Sequence, residues 1–139
     1  MDLLYNIGAC LAYGVVGTLL MALGYIAVDL LTPGKLHELI WTDRNRNATL
    51  IVAANTLGTA LVVVSAILAS EEGLANGLIS TAAYGAVGLA LMAASFLILD
   101  ALTPGRLGSI VGDNELHPAA WVNASAHIAV ALVVAAAIS

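Results

Sequence analysis

Charged residues are scarce in this chain of 139 residues, where they make up only 9% of the sequence. Only 4 residues are Lys or Arg, too few for the basic surface that nucleic-acid binding needs. Cys10 is the single cysteine, which excludes an internal disulfide and a thiolate metal cluster. Phosphate loops, His-Glu-x-x-His motifs and Ser-His-Asp sets are missing as well. The sequence therefore predicts no enzyme, no cofactor and no metal site.

Hydrophobic residues, by contrast, make up 61% of the chain, and its mean hydropathy is +1.00. They form charge-free runs at 3–28, 47–70, 73–99 and 118–139. Each run reaches the roughly 20 residues that an α-helix needs to cross a bilayer. The first run has no basic residue before it and exceeds the core of a signal peptide, so we expect it to be retained. The predicted fold is an all-α integral membrane protein, a single membrane domain over 1–139 with four transmembrane helices.

The basic residues predict the orientation of these helices. Lys35, Arg44, Arg46 and Arg106 all fall in the first and third connections. By the positive-inside rule, loops 29–46 and 100–117 are cytoplasmic. The N and C termini are then expected outside.

An internal repeat divides the chain into segments of about 3–70 and 73–139. Residues 13–36 and 84–107 are identical at 13 of 24 positions without a gap. Each segment contains two helices, so both enter the membrane from the same side, and the repeats are expected to be parallel. This arrangement differs from the inverted repeats common in secondary transporters.

The most conspicuous repeated block is Asp-x-Leu-Thr-Pro-Gly, which follows the first and third helices. Threonine followed by proline is typical of a helix start, with Thr as N-cap and Pro at the first helical position. Leu36, Leu39 and Ile40 then recur at helical spacing, as do Leu107, Ile110 and Val111. This spacing predicts a short amphipathic interfacial helix in each repeat. We call this block the elbow; its residues are Asp29, Thr32, Pro33 and Gly34 in the first copy, and Asp100, Thr103, Pro104 and Gly105 in the second.

The two elbow acids allow two interpretations. Each carboxylate could accept hydrogen bonds from backbone N–H groups of its own turn, or pair with Lys35 or Arg106. Alternatively, Asp29 and Asp100 could converge at a cytoplasmic mouth and attract cations.

Polar residues also occur within the predicted spans. In the last helix, Asn123 and His127 belong to a stripe of residues spaced four apart, whose other members are alanines. The second helix carries Asn55 and Thr59, also four apart. Intramembrane ionisable groups face a protein interior or a wet cavity, so His127 is the first functional candidate. The other interpretation is that these side chains only hydrogen-bond neighbouring helices.

Small residues predict close packing of the first and third helices. Gly14 and Gly17 match Gly85 and Gly88 in the repeat, and small residues let transmembrane backbones approach closely. The pattern fits contacts within one chain or between chains. A homo-oligomer is expected because four helices bury few faces.

The paired elbows and the Asn47-Ala-Thr start of the second helix resemble a bacterial inner-membrane family. It is catalogued as domain of unknown function 350, also called uncharacterised protein family 0719. The resemblance covers nearly the whole chain and implies the fold and a bacterial cytoplasmic-membrane location. It implies no activity.

Two functional hypotheses follow from these residues. In the first, which the sequence favours, oligomers line a path for ions or small cations with the stripe around His127 and Asn123. The two elbow acids lie at the cytoplasmic mouth of this path. In the second, the chain is a membrane scaffold or accessory subunit. Its cytoplasmic loops dock a protein partner, and its buried polar residues hold helices together.

Overall fold

The computed structural model describes residues 2–32, 34–102, 106–111, 113 and 115–139. Four long helices account for most of them: α1 (Asp2–Leu31), α2 (Arg46–Leu68), α3 (Leu74–Leu102) and α5 (Pro118–Ile138). A π-helix over Glu38–Thr42 lies between α1 and α2, and the short α4 (Arg106–Val111) lies between α3 and α5. Within the described ranges no strand occurs. The four long helices are each long and apolar enough to cross a membrane, as the sequence predicted.

Both helices that begin after the loops are capped by side chains. The side-chain oxygen of Asn45 accepts a hydrogen bond of 2.9 Å from the N–H of Ala48, which satisfies one free donor in the first turn of α2. His117 does the same for α5, where its Nδ1 accepts from the N–H of Ala119 at 3.1 Å and Pro118 opens the helix. We call this end of the bundle, where α1 and α3 finish and α2 and α5 begin, the loop end.

The helices pack around a central pair. The contact between α2 and α5 is the most extensive, and α1 and α3 pack against each other and against α2. Glycine lets these helices approach: a Cβ at Gly58 of α2 would lie 3.0 Å from the Cβ of Ala131 on α5. A Cβ at Gly24 of α1 would lie 2.8 Å from Cγ2 of Thr59 on α2. The bundle is therefore held by close backbone contacts as well as by large side chains.

Apolar clusters fill the bundle at the loop end and in its interior. At the loop end, the buried cluster joins all four long helices to the two short ones; its members are Val28, Leu36, Ala48, Ile51, Phe96, Ile110, Val111 and Ala120. Toward the other end, two smaller clusters fill the interior; they comprise Val62, Met92, Ala131 and Val134, and Leu20, Val63 and Leu89.

The first elbow differs from its prediction in one respect. The sequence predicted an N-cap at Thr32 and a helix start at Pro33, but Pro33 lies outside the described residues and Gly34 has a φ of +94°. This left-handed φ is not helical, and helical structure resumes only at Leu36. The Thr32 backbone N–H instead donates to the carbonyl of Val28 at 2.9 Å, as a continuation of α1. The N-cap prediction at Thr32 is therefore wrong.

The segment after this elbow is amphipathic, but its apolar side faces protein. Leu36 is fully buried in the loop-end cluster, and Leu39 and Ile40 pack against that cluster. On the opposite side, His37 and Glu38 are exposed. The apolar stripe that the sequence assigned to the membrane interface therefore seals the bundle.

Candidate functional site

The predicted intramembrane polar residues are gathered inside the bundle. Asn55 and Thr59 of α2, and Asn123 and His127 of α5, are each at most 6% exposed. Their four-residue spacing puts each pair on one helix face, and the extensive contact of α2 with α5 turns the two faces toward the interior. We call these four side chains the mid-membrane layer.

His127 is the ionisable member of this layer, and it is only 3% exposed. Its Nδ1 lies 3.2 Å from the carbonyl oxygen of Asn123, one turn back on the same helix. Phe96 of α3 presents its ring edge-on at a centroid distance of 5.1 Å. His127 and Asn55 also line one cavity of about 10 Å³, large enough for about a single water molecule.

Hydrogen bonding in the mid-membrane layer is incomplete. The Asn55 amide donates to the carbonyl of Gly24 on α1 at 3.4 Å, a long bond. The Thr59 hydroxyl and the Asn123 side-chain oxygen are buried without a hydrogen-bond partner among the described residues. Burying such oxygen atoms costs free energy unless they find a partner. The layer is therefore held together mainly by packing.

The stripe on α5 faces a different neighbour from the one that the transport hypothesis required. In that hypothesis, oligomers line an ion path with Asn123 and His127. In the structure both are buried inside the protomer, as are Ala131 and Ala135. The physical reason is the glycine in α2: Gly58 lets α5 approach so closely that its small residues are covered. The stripe therefore packs within the protomer, and its role in lining an ion path stays a prediction.

The layer is also closed along the bundle axis. The loop-end cluster lies on one side of it, and Val62, Met92 and Val134 lie on the other. The cavity beside His127 that lies at the layer has a volume of only about 10 Å³. Within one protomer, these described residues form no continuous polar path.

Asp29 agrees with the hydrogen-bonding interpretation of the elbow. Its Oδ1 accepts a hydrogen bond of 2.8 Å from the N–H of Leu36, the first residue of the helical segment after the elbow. This bond ties the last turn of α1 to the next segment, which offsets the unfavourable position of an acid at a helix C-terminus. Asp100 is half-buried in the corresponding turn of α3. Thr103, Pro104 and Gly105 lie outside the described residues.

The four glycines predicted to pack do not behave alike. Gly17, Gly85 and Gly88 are buried, and a Cβ at Gly85 would collide with Leu20 of α1. Gly14 is exposed, and a Cβ there would meet no atom within 4 Å among the described residues. Packing of α1 against α3 therefore uses Gly85, whereas a role for Gly14 requires a contact outside this protomer.

The best-satisfied polar site in the described chain was not singled out by sequence reasoning. Asn47 is fully buried, and its side-chain amide donates to the carbonyls of Ile110 and Glu115, both at 2.9 Å. Its side-chain oxygen accepts from the N–H of His117 at 2.9 Å. Asn45 adds a bond from its amide to the carbonyl of Val111. We call Asn45 and Asn47 the amide clamp, because together they hold the second loop against the first.

A partial sequence signal for the amide clamp exists. Asparagine is a preferred N-cap, so Asn45 before a long apolar run indicates the start of α2. Nothing comparable indicates the partners of Asn47, because they are backbone groups more than 60 residues away.

In the described part of the chain, no three His, Cys, Asp or Glu side chains lie close enough to hold a metal ion.

The whole-chain pattern has a clear match among known families. The model of Domain of Unknown Function (DUF350) matches residues 2–138. The chain belongs to the DUF350 family. This confirms the resemblance that the paired elbows suggested.

Relatives of this DUF350 member are known from mycobacteria. It is 40% identical to a UPF0719 transmembrane protein of Mycobacterium bovis over 137 residues, which covers 99% of this chain and 90% of the relative. It is 37% identical to a UPF0719 transmembrane protein of Mycolicibacterium paratuberculosis over 131 residues, covering 94% and 87%. No solved structure matches the chain significantly. The DUF350 chain is thus a multi-pass membrane protein of a family whose function is unknown.

Proposed function

We propose that this DUF350 protein is a membrane scaffold or accessory subunit that docks a protein partner through its cytoplasmic loops and performs no catalysis itself. The observation that supports this function is the closed interior. The polar side chains at membrane depth are packed inside one protomer, and apolar clusters close the bundle on both sides of them. A protein built in this way acts through its outer surfaces.

The orientation in this proposal follows the charges. The loop end carries Arg44, Arg46 and Lys35, which favours a position on the cytoplasmic side of a bacterial membrane. Trp41 and Trp121 lie at the same end and are both more than half exposed, as expected of residues at a membrane interface. In this orientation the two chain termini face outward, and loops 29–46 and 100–117 are cytoplasmic.

The docking surface that we propose is the outer side of the first loop. Lys35 and Glu38 form an exposed ion pair of 4.0 Å, and the exposed rings of His37 and Trp41 lie 6.5 Å apart. Exposed ion pairs contribute little to stability, so these side chains are free to exchange partners. An aromatic ring beside both charge signs suits a polar protein surface.

Photo-crosslinking tests this surface in living cells. A photoreactive phenylalanine analogue at Trp41 is expected to give a discrete crosslinked product with another protein. The same analogue at Ile79, which is 68% exposed on α3 far from the loop end, provides the control. Crosslinks only to lipid or only to the chain itself at Trp41 would contradict docking.

Self-association is part of the same proposal. The exposed face of α3 carries a stripe of alanines at positions 82, 86, 90 and 94, and Gly14 and Thr18 lie on an exposed face of α1. Faces of small residues permit close contact between transmembrane helices.

The single cysteine makes this contact measurable. Cys10 is exposed on α1, so oxidation in the membrane is expected to give a disulfide-linked dimer if copies meet through that helix. Matched variants move the cysteine to α3 or α5, as Cys10→Ser with Ala86→Cys and Cys10→Ser with Val133→Cys. Equal or no crosslinking at all three positions would argue against a defined homo-oligomer.

Transport remains the second candidate, and the mid-membrane layer is the observation that favours it. Two oxygen atoms without partners among the described residues, at Thr59 and Asn123, lie in the same buried layer as a water-sized cavity beside His127. Such groups could pass a proton or a small cation if the helices separated, with Asp29 and Asp100 at the mouth.

Flux into proteoliposomes separates the two functions. Purified protein is reconstituted and compared with His127→Ala and with empty vesicles, at pH values on both sides of about 6.5, the reference value for histidine. The scaffold proposal predicts no proton or cation flux above empty vesicles. Flux that requires the protein and falls in His127→Ala would replace it with transport.

A further inference from the structure

We propose that a groove at the loop end binds the phosphate headgroup of an anionic phospholipid, with one acyl chain lying along α2 and α5. This inference does not rest on the scaffold function, because the groove lies on the side of the bundle and not on the docking surface. We call it the arginine groove. Its polar lining is Arg44, Arg46 and Thr49, and its apolar lining includes Leu50, Ala53 and Trp121.

The arginine groove has the size and the polarity gradient of a lipid site. Its volume is about 420 Å³, which is within the usual range for small-molecule sites. Arg46 is the first residue of α2, and Ala53 lies two turns further along, roughly 10 Å toward the membrane interior. A ligand in the groove therefore meets cationic groups at one end and apolar groups at the other.

The arginines at its mouth form no ion pair with a described carboxylate. Within the described residues, no carboxylate oxygen lies within 4.0 Å of either guanidinium group. Asp43 and Glu115 are exposed acids that neighbour the groove residues in sequence, and they do not neutralise these arginines by contact. Two arginines side by side suit a phosphate, because each guanidinium can donate two parallel hydrogen bonds.

The helix dipoles add to this positive potential. Both α2 and α5 begin at the loop end, and the N-terminus of a helix carries a partial positive charge. Arg46 in the first turn of α2 therefore lies where the helix dipole disfavours a cation. A bound anion would interact favourably with the side chain and with both dipoles.

The backbone at Arg44 is specialised as well. Its φ of +51° is left-handed, which is uncommon for a residue other than glycine. This conformation brings the chain from the π-helix into α2, so that Arg44 and Arg46 line the same groove. Glycine would adopt this φ more readily, yet the position carries a cation.

A membrane lipid is the occupant that fits the remaining lining. The walls below the arginines are apolar and continue along helices that are long enough to cross a bilayer. Trp121, 56% exposed, lies in the first turn of α5, and tryptophan is enriched at the depth of lipid headgroups. Basic pockets between transmembrane helices on the cytoplasmic side are known to bind anionic headgroups. Free phosphate would leave the apolar part of the groove unused.

Tryptophan quenching by brominated lipid tests this site directly. The chain has 2 tryptophans, so Trp41→Phe leaves Trp121 as the only reporter. The variant is reconstituted into phosphatidylcholine vesicles that contain the same fraction of either brominated phosphatidylglycerol or brominated phosphatidylcholine. At low salt, we expect brominated phosphatidylglycerol to quench Trp121 with a preference of about 25-fold, because near the surface each of the two arginines contributes about fivefold in affinity.

Matched variants assign this preference to the groove. Arg44→Gln with Arg46→Gln is expected to reduce the preference to about one, and each single substitution to reduce it by about fivefold. Lys35→Gln removes a charge from the same loop outside the groove and is expected to leave the preference unchanged. Trp121→Phe leaves only Trp41, which does not line the groove and is expected to report no preference.

Salt and phosphate complete the test. Raising the ionic strength to about 1 M shortens the screening length to about 3 Å and is expected to weaken the preference. Equal quenching by the two brominated lipids in the otherwise native chain would overturn the proposal. So would a preference that survives in a folded Arg44→Gln, Arg46→Gln variant. A preference that inorganic phosphate abolishes, while sodium chloride of the same ionic strength does not, would also overturn it, because that would identify a free anion as the ligand.

Discussion

Two regions of the bundle contain buried asparagines, and they are held in different ways. In the amide clamp, the side chains of Asn45 and Asn47 donate to loop carbonyls and accept from backbone N–H groups. In the mid-membrane layer, Asn55 makes one long hydrogen bond, and the side-chain oxygen of Asn123 has none among the described residues. The loop end is therefore fixed by hydrogen bonds, whereas the middle of the bundle is fixed by packing of small residues.

This difference has a physical origin in the backbone. Loop carbonyls and N–H groups at the end of the bundle have no helical partners, so buried amides are needed to satisfy them. Inside the helices, the backbone groups already bond one another, and polar side chains find few additional donors or acceptors. Polar residues at membrane depth can therefore remain without partners while the fold stays intact.

The largest expected effect is the loss of Asn47. Asn47→Ala would remove its side-chain bonds and leave the carbonyls of Ile110 and Glu115 without this donor in a buried site. We expect the free energy of unfolding to fall by about 3–5 kcal/mol, measured by SDS titration in detergent micelles. Asn76→Ala, at an exposed asparagine of α3, is the control and should change stability little. Equal stability of the two variants would refute the amide clamp.

A smaller effect is expected where packing replaces hydrogen bonding. Gly58→Ala would place a methyl group 3.0 Å from the Cβ of Ala131 and from Cε of Met92. Met92 can rotate away, whereas Ala131 can yield only by a shift of α5, so we expect a loss of about 1–2 kcal/mol in the same titration. Gly14→Ala, which meets open space, should lose nothing. A neutral Gly58→Ala would mean that α2 and α5 are not in close contact.

The smallest effect is expected at the Thr59 hydroxyl. Thr59→Val replaces an oxygen that has no hydrogen-bond partner among the described residues by a methyl group of similar shape. The unfolding free energy should change by no more than about 1 kcal/mol, and either a small increase or a small decrease agrees with this prediction. A loss as large as that of Asn47→Ala would show that the hydroxyl bonds a buried group, and the contrast between the two regions would disappear.

The sequence predicts the spanning helices well because lipid imposes a simple rule. Each apolar run of about 20 residues becomes a helix, since helical backbone groups bond one another in an apolar medium. The ends are less well predicted. The first run stops at position 28, before Asp29, but α1 continues to Leu31, and the left-handed turn at Gly34 follows it.

For the mid-membrane layer, the sequence predicts which residues share a helix face, but it does not predict which helix covers that face. The four-residue spacing of Asn55 with Thr59 and of Asn123 with His127 predicts one face on each helix, and the two faces do meet inside the bundle. Whether a polar face lines a lumen or packs against its neighbour depends on which helix covers it. Here Gly58 on α2 lets α5 approach and cover the face. Glycine has no polar side chain, so the polar pattern of the sequence does not point to it.

The amide clamp has a further consequence for the order in which the chain is assembled. Asn47 emerges from the ribosome well before Ile110 and Glu115, its main acceptors. At about 5–20 residues per second, the first loop exists for several seconds without the groups that satisfy it. In the early two-helix intermediate, the side-chain amides of the clamp therefore lack their protein partners and face water. They become buried only when the last helix packs against α2. Completion of the fold is thus coupled to completion of synthesis.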